Sequence, residues 1–179
     1  MNKSDHPISI EEYIDKNGYF LYTASGNSML PLIREKTDLL EIQRKGTERF
    51  KKYDVVLYKA DQQYILHRIV NVKKDSYITA GDHNAYLEYG IADSQIIGVL
   101  KRIIRNGKSI QMDSKMYLLY SHLWCFLFPV RKMLICCGKA LSTCKHHGLN
   151  VLKKAIKMCF RLLMAIKKLI IRLEQRFLL

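Results

Sequence analysis

Between residues 19 and 104 the apolar positions come in short runs broken by turn-forming residues. They lack the i, i+3, i+4 spacing of amphipathic helices. Residues 19–23 form an aromatic-rich run, followed by runs at 39–42, 54–58, 64–72, 76–79 and 96–100, the last continuing towards Ile103 and Ile104. Asn106-Gly107 is a hairpin turn signal. Such a pattern predicts a mainly β domain, antiparallel and barrel-like or coiled. It argues against a parallel α/β fold, because no amphipathic helices separate the strands. In the longest run, period-two alternation puts Ile65, His67 and Ile69 on one face and Arg68 on the other, where it is structural or solvent-exposed.

The pattern turns helical at both ends of this region. Ser9 and Glu12 fit a capping box, so a short helix follows and stops by Asn17-Gly18. Beyond Asp113 a nearly uncharged, aromatic-rich stretch runs over 116–130, shorter than the roughly 20 residues of a spanning helix and broken or kinked by Pro129. Residues 151–179 read as a basic amphipathic helix. Lys153, Lys154, Lys157, Arg161, Lys168 and Arg172 fall on one side, opposite Leu152, Leu162, Leu163, Ile166 and Ile170.

Charge sharpens the boundary. Of the chain's net +14, residues 114–179 carry +12 and residues 1–113 only +2. The sequence therefore divides into a β domain at 1–113 and a basic helical appendage at 114–179. All five cysteines fall in the appendage. An odd, clustered set is no disulfide framework, and residues 1–16 have no apolar core of a signal peptide. Both features point to a reducing, cytoplasmic-side setting.

The candidate chemistry lies in three short stretches: 25–31 (SGNSMLP), 66–70 (LHRIV) and 81–84 (GDHN). A serine in a sharp Gly/Pro turn can stand clear of the strand surface with backbone N–H groups beside it. A neutral histidine can take its proton, and a carboxylate can orient the histidine. Each stretch has a plainer explanation. Ser28 could simply cap its turn, His67 could be a satisfied strand histidine, and Gly81-Asp82 is a good turn in any protein.

In that order, Gly26-x-Ser28-Met29-x-Pro31, His67-Arg68-Ile69 and Gly81-Asp82-x-Asn84 resemble the S24/S26 serine peptidases, which include signal peptidases and LexA-type self-cleaving proteins. With histidine on the second motif, the likeness is to the archaeal, endoplasmic-reticulum and SipW-like branch; other branches use lysine there. It covers roughly residues 20–104. It implies a coiled, mostly β peptidase fold, with Ser28 as nucleophile, His67 as general base and Asp82 as the orienting acid. The oxyanion and substrate-binding groups would come from the turn at Ser25 and Met29, namely the Ser28 N–H and the Ser25 hydroxyl. It also implies small substrate residues on the N-terminal side of the cleaved bond, and no cofactor. Family members carry a further aspartate just after the third motif; here the nearest acid is Glu88. Lys73 and Lys74 stand at a strand end beside Asp75 and are expected to be solvated.

Other chemistries are weaker. Cys136, Cys137, Cys144, His146 and His147 offer zinc-type ligands without the paired spacing of a structural site. Positive charge permits nucleic acid, but the apolar arc of the tail would then need another home, so no nucleic-acid partner is expected. A self-cleaving regulator would need a DNA-binding domain before the serine, and only 24 residues precede Ser25. The expected partners are a peptide or preprotein substrate and an anionic membrane surface, met peripherally from the cytoplasmic side through 114–179. The competing expectation is a catalytically silent module of the same fold that binds an extended peptide or a membrane partner.

Overall fold

The computed structural model describes residues 8–143 and, in the tail, residues 154, 156–159, 161, 162 and 165. Helix α1 (Ile10–Asn17) starts as the capping box dictates. Ser9 Oγ accepts from the Glu12 N–H, and Glu12 accepts from the Ser9 N–H, both at 3.1 Å. It ends at Gly18, whose left-handed φ of 79° lets its N–H return to the Ile14 carbonyl. Ile14 is the helix's buried anchor in the core.

Eight strands follow: β1 (Tyr19–Thr23), β2 (Leu39–Arg44), β3 (Val55–Ala60), β4 (Gln63–Val72), β5 (Ser76–Ala80), β6 (Glu88–Ala92), β7 (Ile96–Arg105) and β8 (Lys108–Gln111). They form one sheet in the order β1-β2-β7-β3-β4-β5-β6, with β8 also on β7, and every pairing is antiparallel. The mainly β expectation holds. β7 is the hub: its first half pairs with β3, its second half with β8, and β2 runs beside both. Strand β6, carrying Glu88, was not anticipated from the sequence.

The middle of the sheet is covered on both sides. Val55, Leu57 and Leu66 face one apolar cluster with Met29, Leu32, Ile33 and Leu100. Val56, Tyr58 and Ile69 face a second with Phe50, Tyr77 and Ile96. Two covered faces explain why these strands read as continuous apolar runs rather than clean alternation.

The change to helix falls where composition changes. Ser114 caps α2 (Lys115–Phe126), accepting from the Tyr117 N–H at 3.2 Å. Leu127 breaks the run, and α3 (Phe128–Thr143) restarts with Pro129 in its first turn, where a missing N–H costs nothing. This part of the appendage is not a separate layer: Tyr117, Tyr120 and Trp124 are buried in the main core. The basic amphipathic helix expected at 151–179 falls almost wholly outside the described residues, as do Cys144, His146 and His147. No described helix is long and apolar enough to cross a membrane.

Beyond this apolar packing, a polar cluster joins α2 and α3 to the sheet. Arg68 on β4 is 1% exposed and makes a two-pronged pair with Asp82, both N···O distances being 2.9 Å. Its remaining Nη1 donates to the Tyr53 carbonyl, Tyr117 Oη and Ser121 Oγ. Tyr120 Oη also donates to Asp82 Oδ2, at 2.7 Å. The Asp82 carbonyl accepts from Trp124 Nε1 and Arg131 Nη1. Burial works against the Arg68 charge, but Asp82 outweighs it and holds the guanidinium pKa above its ordinary value.

A buried charge that loses its partner is costly, whereas a surface pair contributes little. Arg68→Ala should therefore lower unfolding free energy by about 3–5 kcal/mol. Arg102→Ala, which breaks a half-exposed pair with Glu41, should cost less than about 1 kcal/mol. Urea denaturation of the two variants checks both; equal losses would show that the Arg68 cluster is not what fastens α2 and α3.

Candidate active site

The serine turn is held from below and behind. Met29 and Ile33 are one helical turn apart, joined by the Ile33 N–H to Met29 carbonyl bond at 3.0 Å, and both are buried in the core with Leu32. The Leu30–Pro31 peptide is cis. Gly26 takes φ 99°, and its N–H is bound by the Glu35 carboxylate at 3.0 Å. Behind the loop, Asp38 and Arg105 form a second fully buried pair, with Arg105 also donating to the Leu32 carbonyl. Ser28 is thus left half-exposed on a turn whose next residue is an apolar anchor.

The third motif touches the first through backbone. The His83 N–H donates to the Ser28 carbonyl at 2.7 Å. At Gly81 an added Cβ would lie 2.8 Å from that same carbonyl and 2.6 Å from Asn84 Nδ2. Only glycine permits this approach. The motif buttresses the serine turn; it does not reach the histidine.

His67 lies on β4, 4% exposed. Its Nδ1 is 2.7 Å from Glu88 Oε2. Glu88 begins β6, two strands away, and register explains the meeting. Thr79 on β5 pairs with Ile69 on one side and Glu88 on the other, while Tyr58 on β3 pairs with Ile65. His67, Tyr58, Thr79 and Glu88 therefore share one face. Glu88 Oε2 also accepts from Tyr58 Oη and, at 3.0 Å, from Thr79 Oγ1. Burial pushes the Glu88 carboxyl up, but the hydrogen bonds from His67 and Tyr58 outweigh it and hold the pKa below the ordinary value. Burial, seconded by Glu88, keeps the Tyr58 hydroxyl well above its usual range, so it stays a donor.

An ionised Glu88 only accepts. A neutral His67 beside it carries its proton on Nδ1 and keeps a lone pair on Nε2, the form a general base requires. Ser25, Ser28, Met29, His67 and Glu88 all line one cleft of about 240 Å³, walled by Tyr22, Ala24, Tyr64, Leu66 and Tyr86. No hydrogen bond joins Ser28 to His67 in this state. Among the described residues the Ser28 and Met29 N–H groups have no acceptor. Ser25 is exposed at the cleft edge and Met29 is buried beneath it.

The expected trio is therefore placed in two separate networks. Ser28 and His67 share the cleft. The carboxylate on His67 is Glu88, and Asp82 is instead clamped by Arg68 and Tyr120 on the opposite side of β4. Arg68 takes the structural option, fully buried, and not the solvent-exposed one. Lys73 and Lys74 are exposed and do not line the cleft. Tyr58 and Thr79 were missed from the sequence.

A larger groove of about 680 Å³ lies elsewhere, lined by Val70, Ile78, Leu87, Tyr89, Leu119, His122, Cys125 and Phe126 among others. Its cysteine and histidine are not an activated pair. Burial pushes the Cys125 thiol up, away from thiolate, and the His122 ring packs on Tyr53 at 4.2 Å. Among the described residues no His, Cys, Asp and Glu cluster could hold a metal ion. No protein-family model matches the chain, and no curated protein matches its sequence significantly.

A carboxyl with a depressed folded-state pKa stabilises the fold above its unfolded value and loses that contribution as pH falls through the folded one. For Glu88 the unfolded value is 4.5 and the folded value lies below it. Urea unfolding of wild type and Glu88→Gln should show a constant stability gap above about pH 5.5, closing as pH drops below 4.5. A gap independent of pH would mean that the Glu88 charge contributes nothing.

Proposed function

We propose that this chain is a serine endopeptidase of the S24/S26 type, cleaving leader or signal-like segments of a peptide or preprotein. Ser28 is the nucleophile, His67 the general base and Glu88 the carboxylate that orients it. The single observation that carries this assignment is the 2.7 Å contact of His67 Nδ1 with Glu88 in the cleft that Ser28 also lines. The antiparallel sheet is compatible with the coiled β domain that the three motifs imply.

In the proposed reaction Ser28 Oγ attacks the substrate carbonyl while His67 Nε2 takes the hydroxyl proton. The resulting imidazolium is stabilised by Glu88. The oxyanion is held by the Ser28 N–H, with the Ser25 hydroxyl or the Met29 N–H as second donor. The proton then passes to the leaving amine, the C–N bond breaks, and water hydrolyses the acyl-enzyme by the same route reversed. Asp82 has a different part. It fixes the turn that supports the Ser28 carbonyl, so its loss would be felt in stability as well as in rate.

The absence of a Ser28–His67 hydrogen bond is the one observation favouring a silent peptide-binding module of the same fold. Catalytic hydrogen bonds are often open before substrate binds, so activity decides. Wild type should cleave peptides from a library at neutral pH. Ser28→Ala and His67→Ala should lose about 10³–10⁶-fold in kcat/KM, and Glu88→Gln about 10²–10⁴-fold. Cleavage unchanged by Ser28→Ala would overturn the mechanism, and failure of Ser28 to react with a fluorophosphonate in an inactive wild type would favour the binding module.

The reaction would take place at an anionic membrane surface, met through 114–179. Leu118, Leu119, Phe126 and Met133 are exposed on α2 and α3 alongside Lys115 and Lys132. The full chain should co-float with vesicles containing about one-third phosphatidylserine and be released by high salt, since each basic residue near the surface contributes about 1 kcal/mol. Equal binding to neutral vesicles would remove the electrostatic part of the proposal.

A further inference from the structure

Tyr58 is a buried titratable group that the proposed mechanism leaves unused. It is fully buried, yet it lies among polar atoms: its hydroxyl donates to Glu88 Oε2, contacts Thr79 Oγ1 at 3.1 Å and is 3.4 Å from His67 Nδ1. Thr79, also fully buried, donates to the same Glu88 oxygen at 3.0 Å. One carboxylate oxygen thus meets three groups, among them His67 Nδ1 at 2.7 Å. Glu88 itself sits at the start of an edge strand, with about a quarter of its side chain exposed. A glutamate in such a place has several open rotamers and water as a competitor. Something must hold it on the histidine.

We propose that Tyr58 and Thr79 are positioning residues for Glu88: their two hydroxyls fix Oε2 against His67 Nδ1 and so hold the imidazole in the tautomer whose Nε2 can accept the Ser28 proton. The inference deepens the Ser28–His67–Glu88 reading. Two features favour a positioning role over mere packing. A tyrosine needed only for bulk would not have its hydroxyl in a largely buried polar cluster, where an ill-matched group is costly. The hydroxyls also come from β3 and β5, the strands flanking β4, so the carboxylate is held from two strands other than its own.

Tyr58→Phe and Thr79→Val remove one hydroxyl each at nearly constant shape. Long-range proton–nitrogen NMR of the imidazoles reads the tautomer directly, and His67→Gln identifies the His67 signals. Wild type should show His67 in the Nδ1–H form. Each single variant should show a mixed population, and the double variant mainly Nε2–H, with native circular dichroism. Steady-state kinetics should give kcat lower by about 10-fold in each single variant and about 10²-fold or more in the pair, with KM within about twofold. Unchanged tautomer populations in the folded double variant would overturn the inference, and so would a loss confined to KM. Should the double variant fail to fold, the two single variants decide by the same readouts. The NMR result does not depend on activity, so failure of the peptidase reading would appear separately, as a wild type with the Nδ1–H tautomer and no cleavage.

Discussion

The Arg68–Asp82 pair is the interaction on which the rest of the structure depends. It ties together four parts of the chain that apolar packing alone would leave free to slide: β4, the turn at 81–84, α2 and α3. Removing both charges from water is expensive, and the Coulombic attraction between them offsets this only where geometry is good and the remaining valences are filled. Here they are filled. Each guanidinium edge and both carboxylate oxygens have partners, among them Tyr53, Tyr117, Ser121 and Tyr120. Such a cluster accepts few alternative arrangements, so it sets where the helices lie as much as how tightly they bind.

That constraint reaches the candidate site by two short paths. Along β4, Arg68 follows His67, and strand alternation puts their side chains on opposite faces. Fixing Arg68 inside the core fixes the rotation of the strand and turns His67 towards the cleft. Along the turn, Asp82 is followed by His83, whose N–H holds the Ser28 carbonyl. The same ion pair therefore sets the placement of the proposed base and of the proposed nucleophile. Helices that look like an appendage by charge and composition are part of the framework behind the cleft, through Trp124 and Arg131 on the Asp82 carbonyl.

Much of this was legible in the residues, for reasons that can be named. Local signals were reliable: the Ser9–Glu12 capping box, the left-handed Gly18, the helix break beside Pro129 (at Leu127) and the short strand runs are all properties of a few neighbouring residues. The face of His67 followed from alternation alone. Strand β6 was lost because Glu88-Tyr89-Gly90-Ile91-Ala92 is short, carries a positive-φ glycine at Gly90 and leaves both aromatic and glycine exposed at the sheet edge. With β6 missing, Glu88 was only the nearest acid after the third motif, with no strand register to set it beside His67, and Asp82 stood as the orienting acid that the resemblance implies. Choosing between the two required knowing which face of β4 each meets, which is a matter of register between distant strands. Tyr58 and Thr79 were hidden for the same reason, since period-two patterning gives the face of a residue but not its partner across the sheet. Arg68 illustrates the converse: alternation placed it opposite His67, but burial of that face depends on helices 50 residues further along.

The separation of the two acids also has a geometric logic. His67 and Glu88 lie on β4 and β6, with β5 between them. Strands two apart in a sheet are separated by about 9–10 Å, a gap that the imidazole and the acid must close from either side. A glutamate is longer than an aspartate by one C–C bond of roughly 1.5 Å, so at position 88 it reaches a ring nitrogen that an aspartate at the same place would approach less closely. The intervening strand has to leave room, and it does so with Thr79, small enough to pass under the carboxylate and able to donate to it. Asp82, by contrast, meets an arginine, whose long side chain spans the gap on the other face, and the shorter acid suffices. Each carboxylate has the length that its partner and the strand spacing demand, and this keeps the fully buried Arg68–Asp82 pair apart from the partly exposed His67–Glu88 pair in the cleft.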